Sequence, residues 1–434
     1  MLLRFMASNH RSILEPIELS MIAVDEERPS VHRFGTMAER AVSIAGIYGP
    51  NASGKSNVLD AISWLSSAVE RSLRTWEDMV PRQPFKFGSG PLEPSGYEIE
   101  MAVDGVRYIY RLGVDDSNVL VEGLYSYPER RRRILFEREG TEIRFRRGLG
   151  TLSGTRELLT PTTLALSAAM RFDEPEVRNF GRAVANIQTL RARRRSPGLR
   201  GGFAVVTPWA LTERLFDEQN STSQSSLFED PETAKVSPRD SALALLRFAD
   251  LGIDDVQIVE DEVEVSETSG ATHRVARRRP RLLHRAAGQE VPFELSEESV
   301  GTQTWFQLIG PILRALRSGR VLLVDEIDAS LHPTLSARLL ELFQDPITNP
   351  MGAQLVFTTH DTNLLNYLNR DEVWLTEKGE NGATSLTALA EFAGDKVRRS
   401  LNLEKAYLRG RFGAVPDLDQ FALRQVLGLE SSSN

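Results

Sequence analysis

The sequence contains no cysteine. Disulfides, a thiol nucleophile and thiolate zinc or iron–sulfur sites are therefore excluded, which suits a reducing cytoplasm. No apolar run approaches the roughly 20 residues that a membrane helix needs. The opening MLLRFM, Met1 to Met6, turns polar at once, unlike a secretory signal. Heptads are not sustained, so long coiled-coil arms are not expected, and the N-K-x-D guanine signature is missing. These absences describe a soluble, cytoplasmic protein without a membrane partner. A net charge of −8 over 434 residues argues against a general polyanion binder. A hydrophobic share of 41% suffices for one large or two ordinary domains.

Arginine is clustered: ERRRR at Glu129 to Arg133, RFRR at Arg144 to Arg147, RARRR at Arg191 to Arg195 and RVARRRPR at Arg274 to Arg281. Two readings stand side by side. Such runs are solvated faces balanced by nearby acids, or local patches for DNA, RNA or an acidic partner.

The apolar pattern divides the chain. Leu2 to Met6 and ILEPIELSMIA read as two short strands around the polar turn ASNHRS. Ala41 to Tyr48 is a near-continuous apolar strand of the buried, parallel type, and Lys55 to Val69 follows at helical spacing. From Tyr97 to Arg147 the period falls to two, with turns at Asp104-Gly105, Asp115-Asp116-Ser117 and Glu139-Gly140, which predicts about five antiparallel strands. Arg156 to Leu190 is mostly helical in pattern, and 217–235 is polar and reads as a mobile loop. Pro238 to Leu251 is a helix with Ser237 as its N-cap and Gly252 as its stop. Strand Val321 to Val324, helix Pro333 to Gln344, strand Gln354 to Thr358 and a helix from Asn363 then alternate, which predicts a parallel sheet with helices on its faces.

Four motifs carry chemistry. Gly49, Pro50, Asn51, Ala52, Ser53, Gly54, Lys55 and Ser56 fit G-x-x-x-x-G-K-[ST] in full, with Asn57 next in the helix. Glycines let backbone N–H groups approach phosphate oxygens, and the helix points its positive end at the same anions. Lys55 would reach the β- and γ-phosphates of ATP, and Ser56 would ligate Mg²⁺. In VLLVDEIDASLHP, Val321 to Pro333, the strand-end Asp325 would hold Mg²⁺ and Glu326 would polarise the attacking water. In LVFTTHDTNLL, Leu355 to Leu365, His360 would contact the γ-phosphate or orient that water. In FELSEESVGTQTW, Phe293 to Trp305, Ser299 and Gly301-Thr302 at a helix start form a second anion cradle.

This order of phosphate loop, serine–glycine signature, strand ending Asp-Glu and strand ending in His resembles the ABC-type ATPases. GPNASGKSN, the early SNHRS, and VDEIDASLHP followed by TTHD resemble the RecF, SMC and OLD branch. Within it the chain looks like the stand-alone AAA-family bacterial ATPases of the RloA/AbiL-like kind, linked to abortive infection and phage defence, as does AYLRGRFGAVPDLDQF, Ala406 to Phe421. The resemblance implies an α/β fold: a P-loop ABC-type ATPase head with a mostly parallel sheet, formed by 1–95 and 285–390. It adds an antiparallel β lobe at 96–150, a mainly helical insertion at 151–284 and a C-terminal tail at 391–434.

It also implies a homodimer that sandwiches two ATPs, and leaves a higher oligomer open. Lys55 and Ser56 of one subunit would face Ser299 and Gly301 of the other, Asp328 would meet its counterpart across the interface, and Arg11 would lie near the nucleotide. Gln83 would stand where the family has a metal-contacting glutamine, although VPRQPFKF fits that setting poorly. The signature SVGTQ departs from the transporter pattern, having Val300 and Thr302 where glycines or a glutamine would be expected. OLD nucleases add a metal-dependent TOPRIM domain. Asp417 and Asp419 form a D-x-D here, but too few residues follow for a domain. No intrinsic nuclease is expected, and the effector would be a separate RloB-like or other TOPRIM-type protein. A different class remains open, a nucleic-acid-binding scaffold or repair protein that binds ATP with little turnover.

Overall fold

A computed structural model of the chain describes residues 1–33, 39–191, 208–217, 237–249, 252–266, 272–286, 288–392 and 402–414. The chain opens with strands β1 (Leu2–Ser8) and β2 (Ile17–Ser20), the short pair β3 (Val31–Arg33) and β4 (Arg40–Val42), and then β5 (Ile44–Tyr48) and helix α1 (Lys55–Thr75). Five strands follow: β6 (Ser95–Val103), β7 (Val106–Val114), β8 (Val119–Ser126), β9 (Arg133–Glu139) and β10 (Glu142–Phe145). The middle holds α2 (Thr155–Leu158), α3 (Ala165–Ala169), α4 (Pro175–Ala185), β11 (Gln188–Arg191), α5 (Pro208–Phe216) and α6 (Pro238–Phe248). It continues with β12 (Ile253–Ser266), β13 (Thr272–Ala286) and β14 (Gln289–Glu294). The last third is α7 (Val300–Ser318), β15 (Val321–Asp325), α8 (Pro333–Gln344), β16 (Gln354–Thr358), β17 (Val373–Lys378), β18 (Thr384–Ala388) and α9 (Leu403–Leu408).

The main sheet runs β11-β15-β16-β5-β17-β18, parallel except for β18. Its strands are apolar on both faces because helices cover both. Ala45, Ile47, Val321, Leu323 and Val356 pack into one core with α1 and α4. The alternate residues Ile44, Tyr48, Leu322, Val324, Leu355 and Phe357 pack into a second core with α7 and α8. A strand buried this way cannot show the one-sided alternation of an exposed sheet, which is why these segments read as continuous apolar runs. Each wholly buried aliphatic side chain contributes about 1.5–3 kcal/mol.

The structure corrects four expectations. The run Ala41 to Tyr48 is two strands broken at Ser43: β4 pairs with β3, and β5 enters the main sheet. Next, the antiparallel lobe of the head is not confined to 96–150: β1 and β2 extend it, and its order is β10-β9-β8-β7-β6-β1-β2. The stretch 151–284 is not mainly helical throughout. Beside its helices it contains the long hairpin β12-β13 and contributes β11 to the main sheet, where Arg191 lies level with Asp325. For β1, β2, β4 and β5 periodicity identifies a strand but not its partner, and the partner decides the sheet. Lastly, α6 ends at Phe248 rather than running to Leu251, with its Ser237 cap as expected.

The hairpin also explains one arginine run. In the register of β12-β13, Glu260 stands opposite Arg278. Arg278 pairs with Glu260 at 2.6 Å and with Asp217 at 2.5 Å, Arg281 with Glu294 at 2.6 Å and Arg285 with Asp254 at 3.0 Å. Within this run Arg278 and Arg281 thus have acidic partners, which fits the balanced reading. Residues 192–195 of the RARRR run, most of the loop at 217–235, and Asp417 and Asp419 lie outside the described residues. Among the described residues no helix is long and apolar enough to cross a membrane.

Candidate functional site

The site begins at the end of β5. Gly49 and Gly54 hold φ values of 150° and 106°, and Ala52 holds 64°. A side chain at Gly49 would strike Thr376, and one at Gly54 would strike Thr384. Glycine at these two points lets the loop wind tightly against β17 and β18. Those strands hold it there through hydroxyls: Ser53 Oγ meets Thr376 Oγ1 at 2.6 Å, and Thr384 Oγ1 donates to the Ser53 carbonyl at 2.8 Å. Ser12, from the turn between β1 and β2, completes the brace, reaching Thr384 Oγ1 at 2.7 Å and accepting from Asn57 Nδ2 at 2.6 Å. Ser12, Thr376 and Thr384 were missed as functional residues; SNHRS contains the first, but nothing local marks the two threonines.

Lys55 is buried and donates to the carbonyls of Gly49 at 2.8 Å and Pro50 at 2.9 Å. Burial pushes its ammonium down to about 8, against the opposing pull of Glu326, Asp325 and Asp328. Ser56 Oγ donates to Asp325 Oδ1 at 2.8 Å, joining the phosphate loop to the end of β15 across 269 residues of chain. The adjacent order of β5, β16 and β15 brings them together. A serine hydroxyl whose proton is taken by a carboxylate keeps oxygen lone pairs for a hard cation, so this donor pair fits Mg²⁺.

Glu326 follows in the left-handed region, φ 55°. Its backbone N–H donates to Thr358 Oγ1 at 2.7 Å, while Thr358 Oγ1 donates to Asp325 Oδ1 at 2.7 Å. Asp328 accepts from Thr359 Oγ1 at 2.7 Å and from the His360 N–H at 3.3 Å, so its carboxylate is tied within its own chain. Ser56, Glu326 and His360 are all exposed. The structure thus brings 49–57, Asp325, Glu326, Asp328 and His360 into one connected cluster with an open mouth.

Arg11 sits apart from the phosphate loop's own bonds, on the flank of α1. Its φ is 53°, its Nε is 2.5 Å from Asp60 Oδ2, and its N–H donates to the Gln83 carbonyl at 2.7 Å. Asp60 also meets His10 Nε2 at 3.0 Å, and His10 Nδ1 meets Tyr97 Oη at 2.8 Å. This buried chain locks the lobe to α1. Gln83 is linked to Arg11 through its backbone, and its side chain is exposed.

Ser299 and Gly301 lie elsewhere. Ser299 is exposed and caps α7, accepting from the Thr302 N–H at 3.1 Å. A Cβ on Gly301 would come within 2.9 Å of the Ser330 carbonyl, so this glycine has a packing reason in its own subunit. With Phe248, Ser330, His332 and Arg338 these residues line a cavity of about 760 Å³ whose lining includes no residue of 49–57.

Residues 44–366 match the family described as "AAA domain, putative AbiEii toxin, Type IV TA system". The chain belongs to this family. The match runs from β5 through the phosphate loop, the Asp325-Glu326 strand end and His360. Solved structures similar to this family member include an SMC head bound to the C-winged helix domain of ScpA, at 12% identity over 89% of this chain and 97% of that one, TM-score 0.42. The SMC head domain from Thermotoga maritima shows 12% identity over 89% and 98%, TM-score 0.39. A dimeric ATP-binding cassette in a post-hydrolysis state with ADP and Pi shows 13% identity over 90% and 100%, TM-score 0.31. These scores are too low for any chemistry to follow from them. No curated protein sequence matches the chain.

Proposed function

We propose that this family member binds and hydrolyses ATP as a homodimer, each nucleotide closed between the 49–57 loop of one subunit and Ser299 and Gly301 of the other. The observation that carries the reading is the bond from Ser56 to Asp325 beneath a glycine-wound loop, with Glu326 and His360 open at its mouth. Lys55 leaves the Gly49 and Pro50 carbonyls for the β- and γ-phosphates. Ser56 and Asp325 hold Mg²⁺, which supplies charge neutralisation at the phosphates. Glu326 takes the proton of the attacking water, and His360 orients that water or the γ-phosphate. With Ser56, Glu326 and His360 exposed, hydrolysis calls for a cover that excludes bulk water, and the exposed Ser299 and half-buried Gly301 at the start of α7 are small enough to approach phosphate closely.

The family description names a putative toxin of a type IV toxin–antitoxin system; our reading goes further, to a role in antiviral defence in which dimer closure gates a separate effector. The scaffold reading would lean on the arginine runs; in the hairpin Arg278, Arg281 and Arg285 already have acidic partners. Mixing Ser299→Arg with Lys55→Ala subunits tests the proposal. Each homodimer should be inactive, and the heterodimer should regain activity from its one intact composite site. Normal hydrolysis by Ser299→Arg alone, or a dead mixture in which heterodimers demonstrably form, would overturn the shared site.

A further inference from the structure

We infer that Thr358, at the end of β16, is a positioning residue that sets the orientation of both acidic groups before nucleotide arrives. The inference rests on the ATPase reading above. Strand register makes the placement: Val324 pairs with Phe357, which brings Thr358 level with Asp325. Its side chain is wholly buried, and its hydroxyl is used in both directions. The proton goes to Asp325 Oδ1 at 2.7 Å, the same oxygen that Ser56 addresses from the other side at 2.8 Å. A carboxylate held by two hydroxyls on one oxygen cannot swing about its Cβ–Cγ bond without breaking one of them. The hydroxyl oxygen accepts from the Glu326 N–H at 2.7 Å, and the Thr358 carbonyl accepts from the Ile327 N–H at 3.0 Å. These two bonds clamp the chain on both sides of a residue at φ 55°, a conformation that a non-glycine residue adopts at a cost. Threonine suits the task because its branched Cβ restricts the rotamer while the hydroxyl serves as donor and acceptor together.

The test compares wild type with Thr358→Val, which keeps the shape and removes the hydroxyl, and Thr358→Ser, which keeps the hydroxyl. Steady-state hydrolysis is followed across Mg²⁺ concentration. Affinity for a fluorescent ATP analogue is measured with Mg²⁺ and with EDTA, and thermal unfolding is recorded for each variant. Loss of a group that orients a metal-holding carboxylate typically costs about 10–100-fold, so Thr358→Val should lower kcat by that range, raise the Mg²⁺ half-saturation about tenfold and leave KM for ATP within about threefold. Thr358→Ser should recover most of kcat and of the Mg²⁺ response. If the valine variant does not fold, Thr358→Ala takes its place. Wild-type kcat and Mg²⁺ response in the valine or alanine variant overturn the inference. So does an equal loss in valine and serine variants that follows thermal stability, which is a packing role. Should wild type bind ATP without hydrolysing it, the ATPase reading fails separately. Thr358 is then judged by the Mg²⁺-dependent gain in analogue affinity, lost in valine and kept in serine if the inference holds.

Discussion

Two helix starts in this molecule carry a glycine and a small hydroxyl residue, yet they are built differently. At the start of α1 the side chains reach other parts of the fold: Lys55 to the loop carbonyls, Ser56 to β15 and Asn57 to the turn after β1. At the start of α7 they bond within their own turn: Ser299 with Thr302, Gln303 with the Glu298 carbonyl, and Thr304 with the Val300 carbonyl. The first arrangement fixes charged groups in advance, which is what electrostatic stabilisation of a phosphoryl transfer requires. The second leaves an exposed serine beside a cavity, its hydroxyl taken up by Thr302 of its own turn. We read the pair as two halves of a site that one chain cannot close alone.

The sharpest way to break this comparison is to remove chemistry from the first half while keeping its wiring. Glu326→Gln should leave ATP affinity unchanged and slow hydrolysis about 10²–10⁴-fold, the range for losing a general base. Radiolabelled phosphate release would show it, and an unchanged rate would place water activation elsewhere. Lys55→Ala should weaken ATP binding about 100-fold by deleting the charge-assisted bonds to phosphate, read by calorimetry. For the second half, Ser299→Arg should leave ATP binding to the isolated subunit near wild type and suppress both ATP-dependent dimerisation and hydrolysis, measured together by sedimentation and phosphate release. Weakened binding to the monomer would mean that the two helix starts are not separate halves.

The smallest effect concerns protons. The Lys55 ammonium, lowered to about 8 by burial, is partly neutral at pH 8–9 in the free protein. Bound phosphates should restore its charge, so ATP binding at that pH should take up a proton, seen as an enthalpy that varies with buffer ionisation. At pH 6, where Lys55 is charged in both states, that contribution disappears. For stability the sign is the reverse of a salt-bridged lysine. The unfolded chain, with the ordinary value of 10.5, binds more protons above pH 8, so this group's destabilisation is complete below about pH 8 and is relieved as pH rises toward 10.5.

Legibility differed by element for a physical reason. Helix Pro333–Gln344 and strand Gln354–Thr358 stand where the pattern put them, because a proline start, apolar spacing and burial on both faces are local signals. Ser237 caps α6 as expected through a bond three residues away, to the Asp240 N–H at 3.0 Å. The β12-β13 hairpin was not legible. Short alternations such as Val263-Glu264-Val265 are present, but the partner run Arg274 to Arg281 carries few apolar residues, and the pairing that makes both segments strands joins residues apart in the sequence. Of the site, the phosphate loop, Asp325, Glu326 and His360 were visible as motifs. Thr358 lies inside the His360 motif with no local mark of its role, because that role exists only opposite Asp325. Gly301 has the size for phosphate approach, and the close Ser330 carbonyl gives it a packing reason that the sequence does not show.

By itself the sequence determined which groups are available and where the backbone must bend. Glycines at 49 and 54 and a lysine and serine at the following helix start are chemical facts of a short stretch, and so is an acidic pair after four apolar residues. Tertiary structure alone decided what those groups do to one another. Ser56 meets Asp325 across 269 residues, Ser12 meets Thr384 across 372, and Thr376 braces Ser53 across 323. Each contact depends on the order β15-β16-β5-β17-β18 and on the turn after β1 lying against it. Strand order is chosen by the burial of whole faces, and no local preference of the residues in contact encodes it.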